Sequence, residues 1–287
     1  MAKGFHHEGE SSVLEVYFRD SSKPGTDEFT IRLANSLLLR LTGTSASAWS
    51  IGETVEGGTS SDTGTLEGAK DNGDGSVTLK LSGIGEAEVF SMGETISGQY
   101  SGASGDIGNA VFNISNFANN RFSLNESIED QSTGATADIK AVYGDVVEVN
   151  NISGTFGIGN TIQGKETGAT GTLDKQYAGV PGLFDDDTVS DILDESSNYT
   201  PPTLSAGTTD WATLTTDLAG NYYVETKDLT IDASGGDLGP VNLAILTVDI
   251  GGGGEEIVSS APISGTPPSE VIPSGGSMSL QYGQTLG

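Results

Sequence analysis

The chain contains no cysteine, which excludes disulfides, thiolate metal sites and thiol chemistry. Histidine is nearly absent too: His6 and His7 sit side by side near the N-terminus, and no other occurs. Serine triads and histidine acid–base schemes therefore have no internal histidine to use, and no G-x-S-x-G elbow is present. Basic residues are scarce, with 12 Lys+Arg against 40 Asp+Glu in 287 residues and a formal net charge of −28. Nucleic acid is not an expected partner, because phosphate backbones need clustered Lys and Arg. No run of about 20 apolar residues exists, so no membrane span is expected. Met1 to Glu10 lacks the apolar core of a signal peptide.

The acidity is uneven. Residues 1–48 hold 5 bases and 6 acids, residues 49–175 hold 6 and 18, and residues 176–287 hold 1 and 16, Lys227 being that single base. Charge of one sign favours solubility and could steer the chain onto a basic partner.

Gly, Ser and Thr are abundant, yet the apolar residues are patterned and not diluted. Ser76-Val77-Thr78-Leu79-Lys80-Leu81 alternates with period two, as a half-buried strand does. Similar runs lie at Ala110–Ile114, Asp145–Val149 and Asn242–Val248, with Gly, Asn, Asp and Ser between them. The expected class is all-β.

An internal repeat organises the middle of the chain. Four blocks open with an aromatic: Trp49, Phe90, Phe122 and Phe156. Bulky apolar residues follow at +2 (Ile51, Met92, Leu124, Ile158), at +6 (Val55, Ile96, Ile128, Ile162) and at +17 (Leu66, Ile107, Ile139, Leu173). A hydroxyl stands at +5, and a small-residue turn such as Gly102-Ala103-Ser104 separates the two halves, replaced by Ser61-Asp62-Thr63 in the first block. Each block is expected to be a hairpin, with the aromatic and the +2 residue on one strand face. A lone hairpin is marginal in water, so the four should pack as one unit around a common core. The acidic +4 position (Glu53, Glu94 and Glu126, but Asn160) is expected to face solvent. Asp71-Asn72-Gly73-Asp74-Gly75 is expected to be an extended hairpin tip, and it lacks the acid that a calcium loop carries at its end.

In the flanks, Ser12-Val13-Leu14-Glu15 fits a capping box for a short helix to about Phe18. Phe29–Leu33, Tyr222–Val224, Leu229–Ile231, Val241–Val248 and Met278–Tyr282 have strand character, the last following a Pro/Gly-rich loop from Pro262 to Gly276. Tyr17-Phe18-Arg19-Asp20-Ser21-Ser22, then Phe29–Ala34, and later Tyr222 to Val248 with Asp232-Ala233-Ser234-Gly235-Gly236-Asp237, resemble a family of tailed-bacteriophage virion proteins. The resemblance covers about 15–35 and 199–287, under half the chain, and the repeat itself is similar to blocks of large phage structural proteins. It implies a β-sandwich module, a virion location, other tail or capsid subunits as partners, and homo-oligomerisation, by analogy three-fold.

Other candidate chemistry is thin. His6-His7 with Glu8 and Glu10 have ligand character at a terminus, and Asp185-Asp186-Asp187 with Asp191, Asp194 and Glu195 could ligate calcium or be a solvated loop. Gly251–Gly254 lacks the Lys and helix of a phosphate loop. Trp49 is periodic and belongs to the core; Trp211 and Tyr100 are candidates for stacking on sugars. No catalytic, cofactor or metal residues are assigned.

The expected architecture is a split β-sandwich formed by 1–48 and 176–287, with a four-block β repeat, 49–175, inserted between them. The expected function is non-enzymatic: a tail-apparatus, fibre or adaptor component of a phage virion. A head decoration protein is the alternative, and a glycan-binding or glycan-degrading tailspike the remoter one.

Overall fold

The computed structural model describes residues 28–85, 90–119, 121–143, 146–191, 198–212, 215–216, 222–249, 255–263 and 270–286. The expected helix near Ser12, the His6-His7 pair and the Gly251–Gly254 run lie outside them. Among the described residues, helix is confined to 3-10 turns at Ala46–Ala48 and Val189–Asp191. The protein is all-β.

The strands are β1 (Glu28–Ala34), β2 (Leu37–Thr42), β3 (Thr54–Gly57), β4 (Thr63–Asp71), β5 (Ser76–Ser82), β6 (Thr95–Gly98) and β7 (Ser104–Ile107). Next come β8 (Asn109–Ala118), β9 (Ser127–Asp130), β10 (Thr136–Tyr143), β11 (Val146–Ser153), β12 (Thr161–Gly164), β13 (Thr170–Ala178) and β14 (Val180–Pro181). The C-terminal part holds β15 (Thr203–Ser205), β16 (Thr215–Thr216), β17 (Tyr222–Glu225), β18 (Leu229–Asp232), β19 (Leu238–Val241) and β20 (Leu243–Asp249). It ends with β21 (Glu255–Pro262), β22 (Glu270–Ile272), β23 (Ser277–Leu280) and β24 (Gly283–Leu286). Met278 therefore does not begin the last strand, and the loop after Pro262 contains the short β22.

The chain divides into two compact units. Of the described residues, 28–34, those from Asp185 to Ile263 and those from Val271 onward form one; those of Asn35–Phe184, with Glu270, form the other. The crossings thus fall outside the expected boundaries at 49 and 175, for a reason visible in the strand order. β2 pairs with β5, β5 with β4, β4 with β3, β3 with β6 and β6 with β7, and β7 pairs back on β2. Leu37–Thr42 is needed to close this six-strand ring. The second half repeats the plan: β8, β11, β10, β9, β12 and β13 form a closed barrel in the same order. Each barrel is one lead strand, one block, one return strand and a second block.

This corrects the expectation of a single core shared by four blocks. Trp49 and Phe90 lie in one buried cluster with Leu39, Val55, Leu66, Leu79, Ile96 and Ile107. Phe122 and Phe156 lie in another with Phe112, Ile128, Ile139, Ile162 and Leu173. The reason is edge closure. A lead strand, a return strand and two blocks close the ring, and in the first barrel β14 covers the rest of β2 at Leu37 and Leu38, so a third block finds no open edge to extend.

Burial alternates along β2, whereas β5, expected to be half-buried, is buried at every position but Thr78. Leu37, Leu39 and Leu41 point inward with Leu38 and Arg40 between them partly exposed, and they oppose Leu81, Leu79 and Val77 in register. Asn109 lies where the chain leaves one barrel for the other. Its side chain accepts from Arg40 N–H at 2.9 Å and donates to Leu38 C=O at 3.0 Å, satisfying β2 in place of a strand. The Phe184 ring packs where Gly68 lacks a Cβ, which would stand 2.6 Å from it.

The remaining unit has the sheet β15-β1-β20-β21 and three smaller sheets, β16-β17-β24, β18-β23 and β19-β22. Its core includes Phe29, Ile31, Leu33, Trp211, Ile231, Leu238 and Leu246. Trp211 meets Phe29 edge to face with centroids 5.6 Å apart. Tyr199 hydroxyl accepts from Leu33 N–H at 2.7 Å. Arg32 on β1 reaches over β20 to Glu255 on β21 at 2.5 Å.

Candidate functional site

The blocks begin in a turn and not in a strand. In the first, Ser50-Ile51-Gly52-Glu53 closes with Glu53 N–H to Ser50 C=O at 3.1 Å, and Gly52 has φ +87°. Gly93, Asn125 and Gly159 repeat that positive φ at the same +3 position. The turn sends the +2 side chain away from the barrel. Ile51, Leu124 and Ile158 are accordingly exposed by 62%, 61% and 57%, and Met92 is half-buried. They are corrected from core to surface; the aromatics and the +6 and +17 residues are buried as expected.

The same geometry overturns the reading of the acids. Glu53, Glu94 and Glu126 do not face solvent; they are buried. Two blocks of one barrel lie antiparallel, Val55 opposite Gly98 and Gly57 opposite Ile96. The first turn of each thereby meets the second turn of the other. Glu53 accepts Ser50 N–H in its own turn at 2.7 Å. Across the pair it accepts Tyr100 and Ser101 N–H at 3.0 and 2.8 Å, and the Ser101 hydroxyl at 2.8 Å. Glu94 does the same with Ser91 N–H at 2.6 Å, Thr59 and Ser60 N–H at 2.9 Å, and the Ser60 hydroxyl at 2.8 Å. In the second barrel Glu126 takes Ser123 N–H at 2.5 Å, Glu166 and Thr167 N–H at 3.3 and 3.2 Å, and the Thr167 hydroxyl.

The fourth corner is built in reverse. Block four has Asn160 where the others have Glu, and block three has Asp130 where the others have Gly57, Gly98 and Gly164. Asp130 accepts Ser132 and Thr133 N–H from its own second turn at 2.8 and 3.1 Å, and Gly157 N–H from the partner block at 2.8 Å. The carboxylate comes from the other side, yet it bridges the same two turns. The three glycines are explained too: a Cβ on Gly57, Gly98 or Gly164 would stand 2.5–2.7 Å from the opposing Glu carboxylate.

Glu53, Glu94 and Asp130 are held below their ordinary pKa by the donors around them. Burial pushes the Glu53 carboxyl up, and the hydrogen bonds from Ser101, Ser50 and Tyr100 outweigh it, leaving it below its ordinary value. Glu94 is lowered against burial by Ser60, Thr59 and Ser91. Asp130, also opposed by burial, is held down to about 2 by Asn160, Gly157, Ser132 and Thr133. A buried carboxylate ringed by backbone N–H groups locks turns together; it is poorly placed to take up or deliver a proton at neutral pH.

Other candidates fare variously. Trp211 is 1% exposed and cannot stack on a sugar without unfolding its core, whereas Tyr100 is 86% exposed on a second-turn tip. The Asp71–Gly75 segment is the β4–β5 tip as expected, closed by Asn72 N–H to Ser76 C=O at 3.0 Å. Asp191 accepts Thr188 N–H and hydroxyl at 2.8 and 2.6 Å, and Asp194 and Glu195 lie outside the described residues. Among the described residues no group of acids or histidines is arranged to hold a metal ion, and no helix is long and apolar enough to cross a membrane. A cleft of about 600 Å³ opens between the two barrels, lined by Phe90, Met92, Ile107, Ile152 and Gln176 among others. No family model, curated protein or solved structure matches the chain.

Proposed function

We propose that the chain is a non-enzymatic structural component of a tailed-phage virion, part of the tail apparatus or a fibre or adaptor docking on other virion subunits. One observation supports the reading above others. Each of the four buried carboxylates, Glu53, Glu94, Glu126 and Asp130, is engaged in cross-bracing turns of a barrel. These carboxylates stiffen two closed barrels. Stiffness without open strand edges suits a part that transmits load and contacts neighbours only through chosen surfaces.

The test is location on the particle. Purified particles of the encoding phage, probed with an antibody to this chain, should carry label at the tail with a few to tens of copies, as symmetry implies. Label spread over the head in hundreds of copies would instead support the decoration role. Absence from purified particles would defeat both.

A further inference from the structure

The four +2 turn residues stand at one equivalent position of the fold, and three of them, Ile51, Leu124 and Ile158, are exposed by more than half. Folding does not ask for an apolar side chain there, since the first central position of such a turn accepts most residues. Scattered exposed apolar residues are ordinary. Recurrence at the same position in every block is what sets these apart.

The fourth, Met92, shows what the position does. Its side chain packs against the cluster of its own barrel and also against that of the second barrel. The second barrel has the same strand order as the first. Within this chain, therefore, the one covered knob is covered by a barrel of its own kind. Ile158 is the counterpart of Met92 in the second barrel, and Ile51 and Leu124 correspond in the same way.

We propose that Ile51, Leu124 and Ile158 dock on the barrels of a second copy of this chain, repeating between molecules the packing that Met92 makes within one. The occupant is a second copy because the sole seat the structure displays for this residue position is a barrel of this repeat. Charge gives the association a signature. Copies carrying −28 each repel, so added salt should strengthen an apolar contact between them, whereas it would weaken docking on a basic partner. The inference does not need the virion reading, since the isolated chain tests one and the particle tests the other.

The experiment is sedimentation velocity on the full chain over a concentration series, at low and high sodium chloride. The wild type should associate, more strongly at high salt, and Ile51→Ser/Leu124→Ser/Ile158→Ser should weaken association by at least about tenfold in Kd. Tyr100→Ser, a control on an exposed turn tip outside the +2 set, should leave it unchanged. Unfolding curves of the variants check that the barrels are intact. Because the chain lacks cysteine, Ile51→Cys, Leu124→Cys and Ile158→Cys each supply a single thiol, which association should shield from maleimide. A wild type that stays monomeric at both salts, a triple variant that associates like the wild type, or association that salt abolishes would each overturn the proposal.

Discussion

Asn160 Nδ2 donates to both carboxylate oxygens of Asp130, at 3.1 and 2.9 Å. The two residues belong to different blocks and stand where the other corners have Glu facing Gly. They are one exchange made in two places: the carboxylate moved across the pair, and the position it left became an amide that donates to it.

That relationship predicts strong coupling. Asp130→Gly alone strips the acceptor from three backbone N–H groups, and should cost about 2–3 kcal/mol. Asn160→Glu alone sets two carboxylates against each other in a buried corner, and should cost at least as much. The double variant Asp130→Gly/Asn160→Glu rebuilds the corner as Glu94 and Gly57 have it, and should recover to within about 1 kcal/mol of wild type. Urea unfolding of the four proteins measures this; additive losses would show that the corner is not a unit.

The corners also predict acid sensitivity with a defined sign. A carboxyl whose folded pKa is depressed contributes stability above its unfolded pKa and loses it as pH falls through the folded value. For Asp130, lowered from 3.8 to about 2, the contribution at neutral pH is about 2 kcal/mol. Glu53 and Glu94, both lowered, add in the same direction. Unfolding free energy should hold steady near neutrality and fall steeply below about pH 4. Asp130→Asn should be less stable at pH 7 and show a shallower acid slope.

Where a Glu stands opposite, glycine at +8 is a steric requirement. A Cβ at Gly98 would lie 2.5 Å from Glu53 Oε2. Gly98→Ala should destabilise by about 1–3 kcal/mol through overpacking and displacement of the carboxylate. Ser101 Oγ stands equally close at 2.5 Å, so Gly98→Ala in a Glu53→Ala/Ser101→Ala background should cost markedly less, because both obstructing groups are gone. Equal costs in both backgrounds would contradict the geometry.

Two cores predict two responses. Phe156→Ala removes a fully buried ring that meets Phe112 at 4.8 Å, and should cost the second barrel about 3–5 kcal/mol. Hydrogen exchange should then quicken across β8–β13 while β2–β7 keep more of their protection. Uniform loss over both barrels would mean that they unfold as one.

The strands and the repeat were legible because alternation and recurrence are local signals. The aromatic, +6 and +17 positions are buried as their pattern implied, and Ser76–Leu81 forms a strand, although Ser76 and Lys80 are buried in it along with the apolar residues. The +2 and +4 positions did not behave as expected, because the turn at +1 to +4 interrupts the two-residue period. Its mark was present as Gly52, Gly93, Asn125 and Gly159, the residue types that accept positive φ. The pairing of Glu with a glycine eight residues into another block was also written in the chain, including its reversal at Asp130 and Asn160. Without knowing that blocks lie antiparallel in pairs, nothing linked those positions.

The amino-acid sequence by itself determined the all-β class, the four blocks and most of the residues that fill the interior, since each depends on neighbours a few positions apart. Only the tertiary structure decided that the blocks close two by two, that Leu37–Thr42 joins the first barrel, and that buried acids hold the corners. Those outcomes depend on which strand edges meet, and edge pairing is set by closure of the whole ring rather than by any segment within it.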